Sequence, residues 1–207
     1  MIALIDYGAG NLTSVRKALS AVGAAFFTPA SPADLQSAEG IIIPGVGHFG
    51  ATRALDESWR SALLSAVDSQ VPLLGICLGL QYLFEGSDEA PDAPGLGALE
   101  GRCSLLPPTL KVPHVGWNAL EVRRPSRILD GVTDATQVYF THSYAAPVTT
   151  ACVAAATHSA SFAAVVEAGV VSGVQFHPEK SSEAGLRMLR NFLQITRVSS
   201  QQASEIS

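Results

Sequence analysis

The amino-acid sequence predicts a single α/β domain: a central, mostly parallel sheet flanked by helices, with a β-rich second half. Three observations carry this reading. Short apolar runs without polar alternation recur at residues 1–6, 41–43 and 71–76, as expected of parallel strands covered on both faces. Segments with helical spacing of apolar residues lie between them, which is the rhythm of strand–helix–strand units. Finally, 47% of the 207 residues are apolar, enough to bury one sizeable core, and no linker or internal repeat divides the chain.

Taken in order, residues 1–6 form a first strand that Gly8 and Gly10 end. From Asn11 onward Leu12, Val15, Leu19 and Val22 recur at helical spacing with Arg16 and Lys17 between them, so a helix with one buried stripe follows. A short second strand is expected at residues 25–28, and Ser31 then caps a helix with Pro32 at its first position. Ile41, Ile42 and Ile43 make a third strand, ended by Pro44-Gly45-Val46-Gly47. Leu55, Trp59, Leu63 and Val67 mark another helix that reaches Ser69, and the fourth strand, residues 71–76, runs straight into Cys77. Residues 91–125 are rich in Gly and Pro with short strand-like pieces, after which 138–140, 152–157, 162–167 and 170–175 read as strands. Leu186, Leu189 and Leu193 share one face of a closing helix from about residue 182 to 196. The domain is expected to span residues 1–198, with the polar stretch 199–207 frayed.

Charge and cysteine usage narrow the function. Thirteen Lys plus Arg against eighteen Asp plus Glu give a net charge of −5 with no long block of one sign, which argues against nucleic acid or a polybasic membrane contact. No apolar stretch reaches the roughly 20 residues needed to span a bilayer. Residues 1–12 have no basic lead and Asp6 interrupts their apolar run, so they read as a strand instead of a signal peptide, and a cytoplasmic protein is expected. Cys77, Cys103 and Cys152 are odd in number and widely spaced, which fits neither a disulfide framework nor a paired-Cys metal site.

In a parallel α/β sheet active sites gather outside the carboxyl ends of the strands. Gly75-Ile76-Cys77-Leu78-Gly79 sits there, following a buried strand and opening a helix, which is the context of a nucleophile elbow with Cys as the nucleophile. The flanking glycines allow a strained turn, and the first N–H groups of the helix are offered to an oxyanion. A thiolate nucleophile wants an imidazole to move protons, and the imidazole wants a third group to orient it. His177 and Glu179 supply both at the end of strand 170–175, although His48, His114, His142 and His158 compete for the role of base. The Pro44-Gly45-Val46-Gly47 loop could aim a backbone N–H at a substrate carbonyl; a phosphate cradle is disfavoured because no Lys-Ser/Thr pair follows it.

These residues carry a resemblance. Gly75-Ile76-Cys77-Leu78-Gly79-Leu80-Gln81 together with Phe176-His177-Pro178-Glu179 resembles the class I glutamine amidotransferases, which hydrolyse the side-chain amide of glutamine with a Cys-His-Glu triad. Within that class residues 5–12, the 44–47 loop, Pro113-His114-Val115-Gly116-Trp117-Asn118 and His177-Pro178-Glu179-Lys180-Ser181-Ser182 are similar to the glutaminase subunits of imidazole glycerol phosphate synthases. The resemblance implies Cys77 as nucleophile, His177 as acid and base, and Glu179 as its orienting group. It also implies an oxyanion hole from the N–H groups of Leu78 and Val46, the latter once the Gly45–Val46 peptide turns inward. Gln81, Glu89, Ser143 and Tyr144 would line the glutamine site. No cofactor and no metal are implied. Ammonia would pass to a partner cyclase of the (β/α)₈ barrel type in a heterodimer, docked on a face containing Tyr7, Asn11, His114, Trp117, Asn118 and Lys180. A self-contained cysteine hydrolase, a non-catalytic module with the same fold and a glutaminase serving another synthase stand beside this reading; the 113–118 segment argues against the last.

Overall fold

The computed structural model describes residues 1–10 and 12–206. Their strands are β1 (Ile2–Leu4), β2 (Phe26–Phe27), β3 (Gly40–Ile43), β4 (Leu73–Ile76), β5 (Gly86–Ser87), β6 (Arg102–Leu105), β7 (His114–Ala119), β8 (Glu121–Val122), β9 (Gln137–His142), β10 (Tyr144–Ala145), β11 (Cys152–His158), β12 (Ala160–Ala168) and β13 (Val171–Val174). The α-helices are α1 (Leu12–Ala21), α2 (Glu57–Asp68), α3 (Leu78–Leu83) and α4 (Ser182–Ile206). Among the described residues eight strands form one sheet in the order β2-β1-β3-β4-β13-β12-β11-β8. The pairings from β2 through β13 are parallel, and those from β13 to β8 are antiparallel. The expected architecture is therefore the one observed.

The apolar runs that lack polar alternation do so because both faces of each strand are covered. Ile2, Leu4, Ile42, Leu74 and Ile76 point into a core with Val15 and Leu19 of α1 and Met188, Leu189 and Phe192 of α4. Their neighbours Ala3, Ile5, Ile41, Ile43 and Leu73 enter a second core with Leu63 of α2 and Leu80 and Leu83 of α3. Burying each such Ile or Leu contributes about 1.5–3 kcal/mol, so this central ladder is the rigid platform of the molecule. Its register places the chemistry: β13 pairs with β4 in parallel, Val174 opposite Ile76, so Cys77 and the segment from Gln175 to Glu179 leave neighbouring strands at the same end.

Three local details differ from the sequence reading. The helix expected after Ser31 is a 3₁₀ helix over Pro32–Ser37; the Asp34 carboxylate accepts from the N–H groups of Ala30 and Ser31 and closes the turn tightly. Leu55 precedes α2 instead of starting it, because Asp56 caps the helix by accepting from the N–H groups of Ser58 and Trp59. The closing helix does not stop near residue 196: α4 continues to Ile206, in keeping with a stretch that holds Gln, Ala and Glu and neither Gly nor Pro. No described helix is long and apolar enough to cross a membrane.

Candidate active site

Cys77 occupies the single residue between β4 and α3 with φ 53° and ψ −106°, a left-handed backbone that a non-glycine residue adopts only when its surroundings impose it. The surroundings are two glycines. A Cβ on Gly79 would overlap the carbonyl oxygen of Ile43, and one on Gly75 would run into the Gly79 backbone, so β3, β4 and α3 meet backbone to backbone at the elbow. Overpacking of this kind costs about 1–3 kcal/mol, more where backbone has to move, and at roughly 2–4 °C per kcal/mol Gly79→Ala is expected to lower the melting temperature by roughly 10 °C. A thermal melt checks this, and an unchanged midpoint would mean the elbow has slack the geometry does not show.

The second arm is held as firmly. The His177 N–H donates to the Tyr139 carbonyl at 2.9 Å, while the Ser181 hydroxyl donates to the His177 carbonyl at 2.7 Å and accepts from the Tyr139 N–H at 3.0 Å. The imidazole is thereby fixed, and its Nδ1 lies 2.8 Å from Glu179 Oε1 with both side chains at most 4% exposed. A carboxylate only accepts, so Nδ1 donates. Burial alone would lower the His177 pKa; the Cys77 and Glu179 side chains outweigh burial and hold the imidazole charged well above its ordinary 6.5. Nε2 makes no hydrogen bond in this geometry, the thiol turning instead toward the Thr141 carbonyl at 3.8 Å.

The 44–47 loop faces this pair. The Leu78 N–H, the nearest candidate oxyanion donor, donates at 3.2 Å to the Gly45 carbonyl, so the Gly45–Val46 peptide presents its oxygen, not its N–H, to the hole. Gly45 has no room for a side chain because a Cβ there would overlap the Tyr7 hydroxyl. Beside the loop opens a cavity of ≈ 270 Å³ lined by Val46, Cys77, Gln81, Glu89, Ser143 and Tyr144 among others. Gln81 Nε2 donates to the Tyr144 carbonyl (2.8 Å) and to Gln175 Oε1 (3.2 Å), which leaves its own amide oxygen free to accept. Glu89 is not a loose surface charge: its carboxylate accepts from the Phe49 N–H at 2.7 Å and faces the cavity.

The expected docking residues separate. Trp117 is 52% exposed with its ring edge on Tyr139, and Lys180 is exposed with Nζ 5.8 Å from the centre of the same ring. Asn118 is half-buried. His114 does not reach the surface at all: it is 4% exposed, because its strand position faces the core side of the β7–β9 ladder. Tyr7 is half-buried with its hydroxyl inside against Gly45, where burial pushes the phenol pKa far up. Asn11 lies outside the described residues. Sequence reasoning missed Gln175, whose Nε2 donates to Cys77 Sγ at 3.7 Å; His142, weighed only as a rival base, lines the cavity. Gln175 had a signal, a single amide ending an otherwise apolar strand.

Fold and site together define an α/β protein with a strained thiol and a buried imidazole–carboxylate pair at the carboxyl ends of adjacent parallel strands. The chain belongs to the glutamine amidotransferase class-I family, whose model matches residues 3–195. Imidazole glycerol phosphate synthase subunit HisH of Methanothermobacter thermautotrophicus is 44% identical over 198 residues, 95% of this chain and 100% of that protein. The protein of the same description from Xylella fastidiosa strain Temecula1 is 47% identical over 197 residues, 94% of this chain and 97% of its own. Among solved structures, a "glutamine amidotransferase" superimposes with TM-score 0.74 at 18% identity over 95% of this chain and 98% of that one. The "Structure of PurLQS from Thermotoga maritima" does so with TM-score 0.74 at 19% identity over 93% and 97%. At such identities the structures show the shared fold alone.

Proposed function

We propose that the chain hydrolyses the side-chain amide of glutamine to glutamate and ammonia and serves as the glutaminase subunit of an imidazole glycerol phosphate synthase in histidine biosynthesis. One observation carries the chemistry: Cys77, which lines a cavity walled by amide, carboxylate and backbone groups, and the buried His177–Glu179 pair leave adjacent strands at the same end. Cys77 Sγ gives its proton to His177 Nε2 and attacks the amide carbon, and the carbonyl oxygen becomes an oxyanion, held by the Leu78 N–H and by that of Val46 once its peptide has turned. The intermediate collapses as the C–N bond breaks, His177 Nε2 gives its proton to the nitrogen, and ammonia leaves. Water then attacks the glutamyl thioester with His177 as base, and glutamate departs with the thiol restored. Glu179 keeps the imidazole oriented and stabilises its charged form throughout. Gln81, Glu89, Ser143 and Tyr144 hold the glutamine.

The relatives' description supports the second half of the reading. Ammonia passes to a cyclase of barrel type, which inserts it into its ribotide substrate and, as a lyase, cleaves that substrate to imidazole glycerol phosphate and aminoimidazole carboxamide ribotide, and the two chains form a cytoplasmic heterodimer. Trp117 and Lys180 are exposed beside the His177 segment through Tyr139, which supports assigning them to the docking face. A central interface aromatic can be worth more than about 2 kcal/mol, roughly 30-fold in Kd, so Trp117→Ala is expected to weaken cyclase binding by about that factor. Lys180→Ala weakens it less, and mainly at low salt. Titration against the cyclase is the test, with a melt of the free chain as control: since Trp117 is half in solvent, its melting temperature stays near the parent value. Normal binding by Trp117→Ala would remove this face from the interface.

A further inference from the structure

His114 and His142 stand directly opposite each other on β7 and β9, both buried. His142 Nδ1 lies 2.9 Å from the Tyr144 carbonyl, which can only accept, so Nδ1 carries the proton and Nε2 the lone pair. That lone pair is 3.0 Å from His114 Nδ1, which must then donate, leaving His114 Nε2 as an acceptor. The group facing it is the Asn118 amide nitrogen at 3.4 Å, a donor that also reaches the Thr157 carbonyl at 3.0 Å while Asn118 Oδ1 accepts from the Ala119 N–H. Every proton in the chain thus points one way, from Asn118 through His114 and His142 to the Tyr144 carbonyl. The same carbonyl takes the Gln81 amide, and Gln81 orients Gln175, which donates to Cys77 Sγ.

The arrangement works only with both rings neutral, because a second proton on either would set donor against donor. Burial, with a further push from neighbouring histidines, lowers His114 to about 4 and His142 to about 3. The groups that face the pair are His158, stacked on His114 at 4.2 Å with its Nε2 on the Lys111 carbonyl, and His177 across the site; Phe140 closes the other side.

We infer that His114 and His142 are positioning residues, a one-way neutral relay that fixes the Tyr144 wall of the glutamine site from the strand that carries Trp117. This deepens the glutaminase reading and rests on it. It reassigns His114 from the docking face, where sequence similarity put it, to the interior.

The first test needs no activity. Two-bond ¹H–¹⁵N correlation on the ¹⁵N-labelled full chain near neutral pH should show His114 and His142 as neutral Nδ1–H tautomers and His158 as Nε2–H; an Nε2–H or charged His142 overturns the relay. The second separates positioning from simple packing. His114→Phe keeps the stack on Phe140 but leaves His142 Nε2 without a donor, and a lost buried partner of this kind is expected to raise the glutamine KM on the order of tenfold in the cyclase complex, with kcat changed far less. His114→Asn puts an amide N–H where Nδ1 was and should recover most of that loss. Equal KM values for the Phe and Asn variants overturn the positioning role. Failure of the parent complex to turn over glutamine would instead overturn the functional reading, and the tautomers would still decide the relay.

Discussion

Cys77→Ala abolishes glutamine-dependent synthesis in the complex with the cyclase, by on the order of 10⁴-fold or more, and leaves synthesis from added ammonium salts at the parent rate. The size follows from covalent chemistry: without a sulfur no thioester forms, and His177 and Glu179 have no nucleophile to serve. The asymmetry between the two nitrogen sources follows from the proposed division of labour, in which this chain only releases ammonia and the cyclase closes the ring. The elbow tolerates the change because its strain is imposed by Gly75, Gly79 and Ile43, not by the sulfur. An alkylating glutamine analogue should mark the same atom. Cys103 is fully buried with its thiol on the Gln81 carbonyl, and Cys152 turns its own toward the Ala154 carbonyl; burial pushes both thiols up, so neither competes as a thiolate. Equal loss of both syntheses in the variant, or label found mainly on Cys103 or Cys152, would sink the assignment.

What the sequence made legible was what local pattern encodes. The apolar runs at residues 41–43 and 71–76 show no alternation because Ile42 and Leu74 fill one core and Ile41, Ile43 and Leu73 the other. The strained elbow is visible as glycines spaced around Cys77, since only backbone contact at Gly79 explains them. Side-chain direction is less visible. His114 sits in a segment that also contains exposed Val115 and Trp117, and strand alternation sends it inward where linear similarity cannot tell. Gln175 depends on a non-local fact, the parallel register of β13 with β4, which brings its amide to a sulfur on the neighbouring strand. The end of α4 is hard to read because the apolar stripe stops near residue 196, whereas helix formers without a breaker carry the helix on.

The chain on its own is expected to hydrolyse glutamine on the order of 10²- to 10³-fold more slowly than in the complex with cyclase and its ribotide ligand, the loss that follows from one missing oxyanion donor. The closed state is explicit. The Gly45 carbonyl accepts the Leu78 N–H at 3.2 Å, so one donor is occupied and the other, on Val46, belongs to a peptide whose oxygen faces the hole. Turning that peptide exchanges an oxygen for an N–H and frees Leu78 in the same motion, so both donors arrive together. The loop is built for such a turn: Gly45 packs under the Tyr7 hydroxyl with no side chain to obstruct it, and Gly47 holds φ 113° with open space where a Cβ would be. Val46 itself is half-buried at the cavity. A resting state of this kind also keeps glutamine from being spent when no acceptor for ammonia is present. Glutaminase rates for the chain alone, with cyclase, and with cyclase plus ligand measure the effect directly. The activation should fall on kcat more than on the glutamine KM, because oxyanion donors act on the tetrahedral intermediate while the proposed substrate wall of Gln81, Glu89 and Tyr144 is the same in either loop state. A free chain that turns over glutamine at the full rate of the complex would refute the gate and favour a self-contained thiol hydrolase.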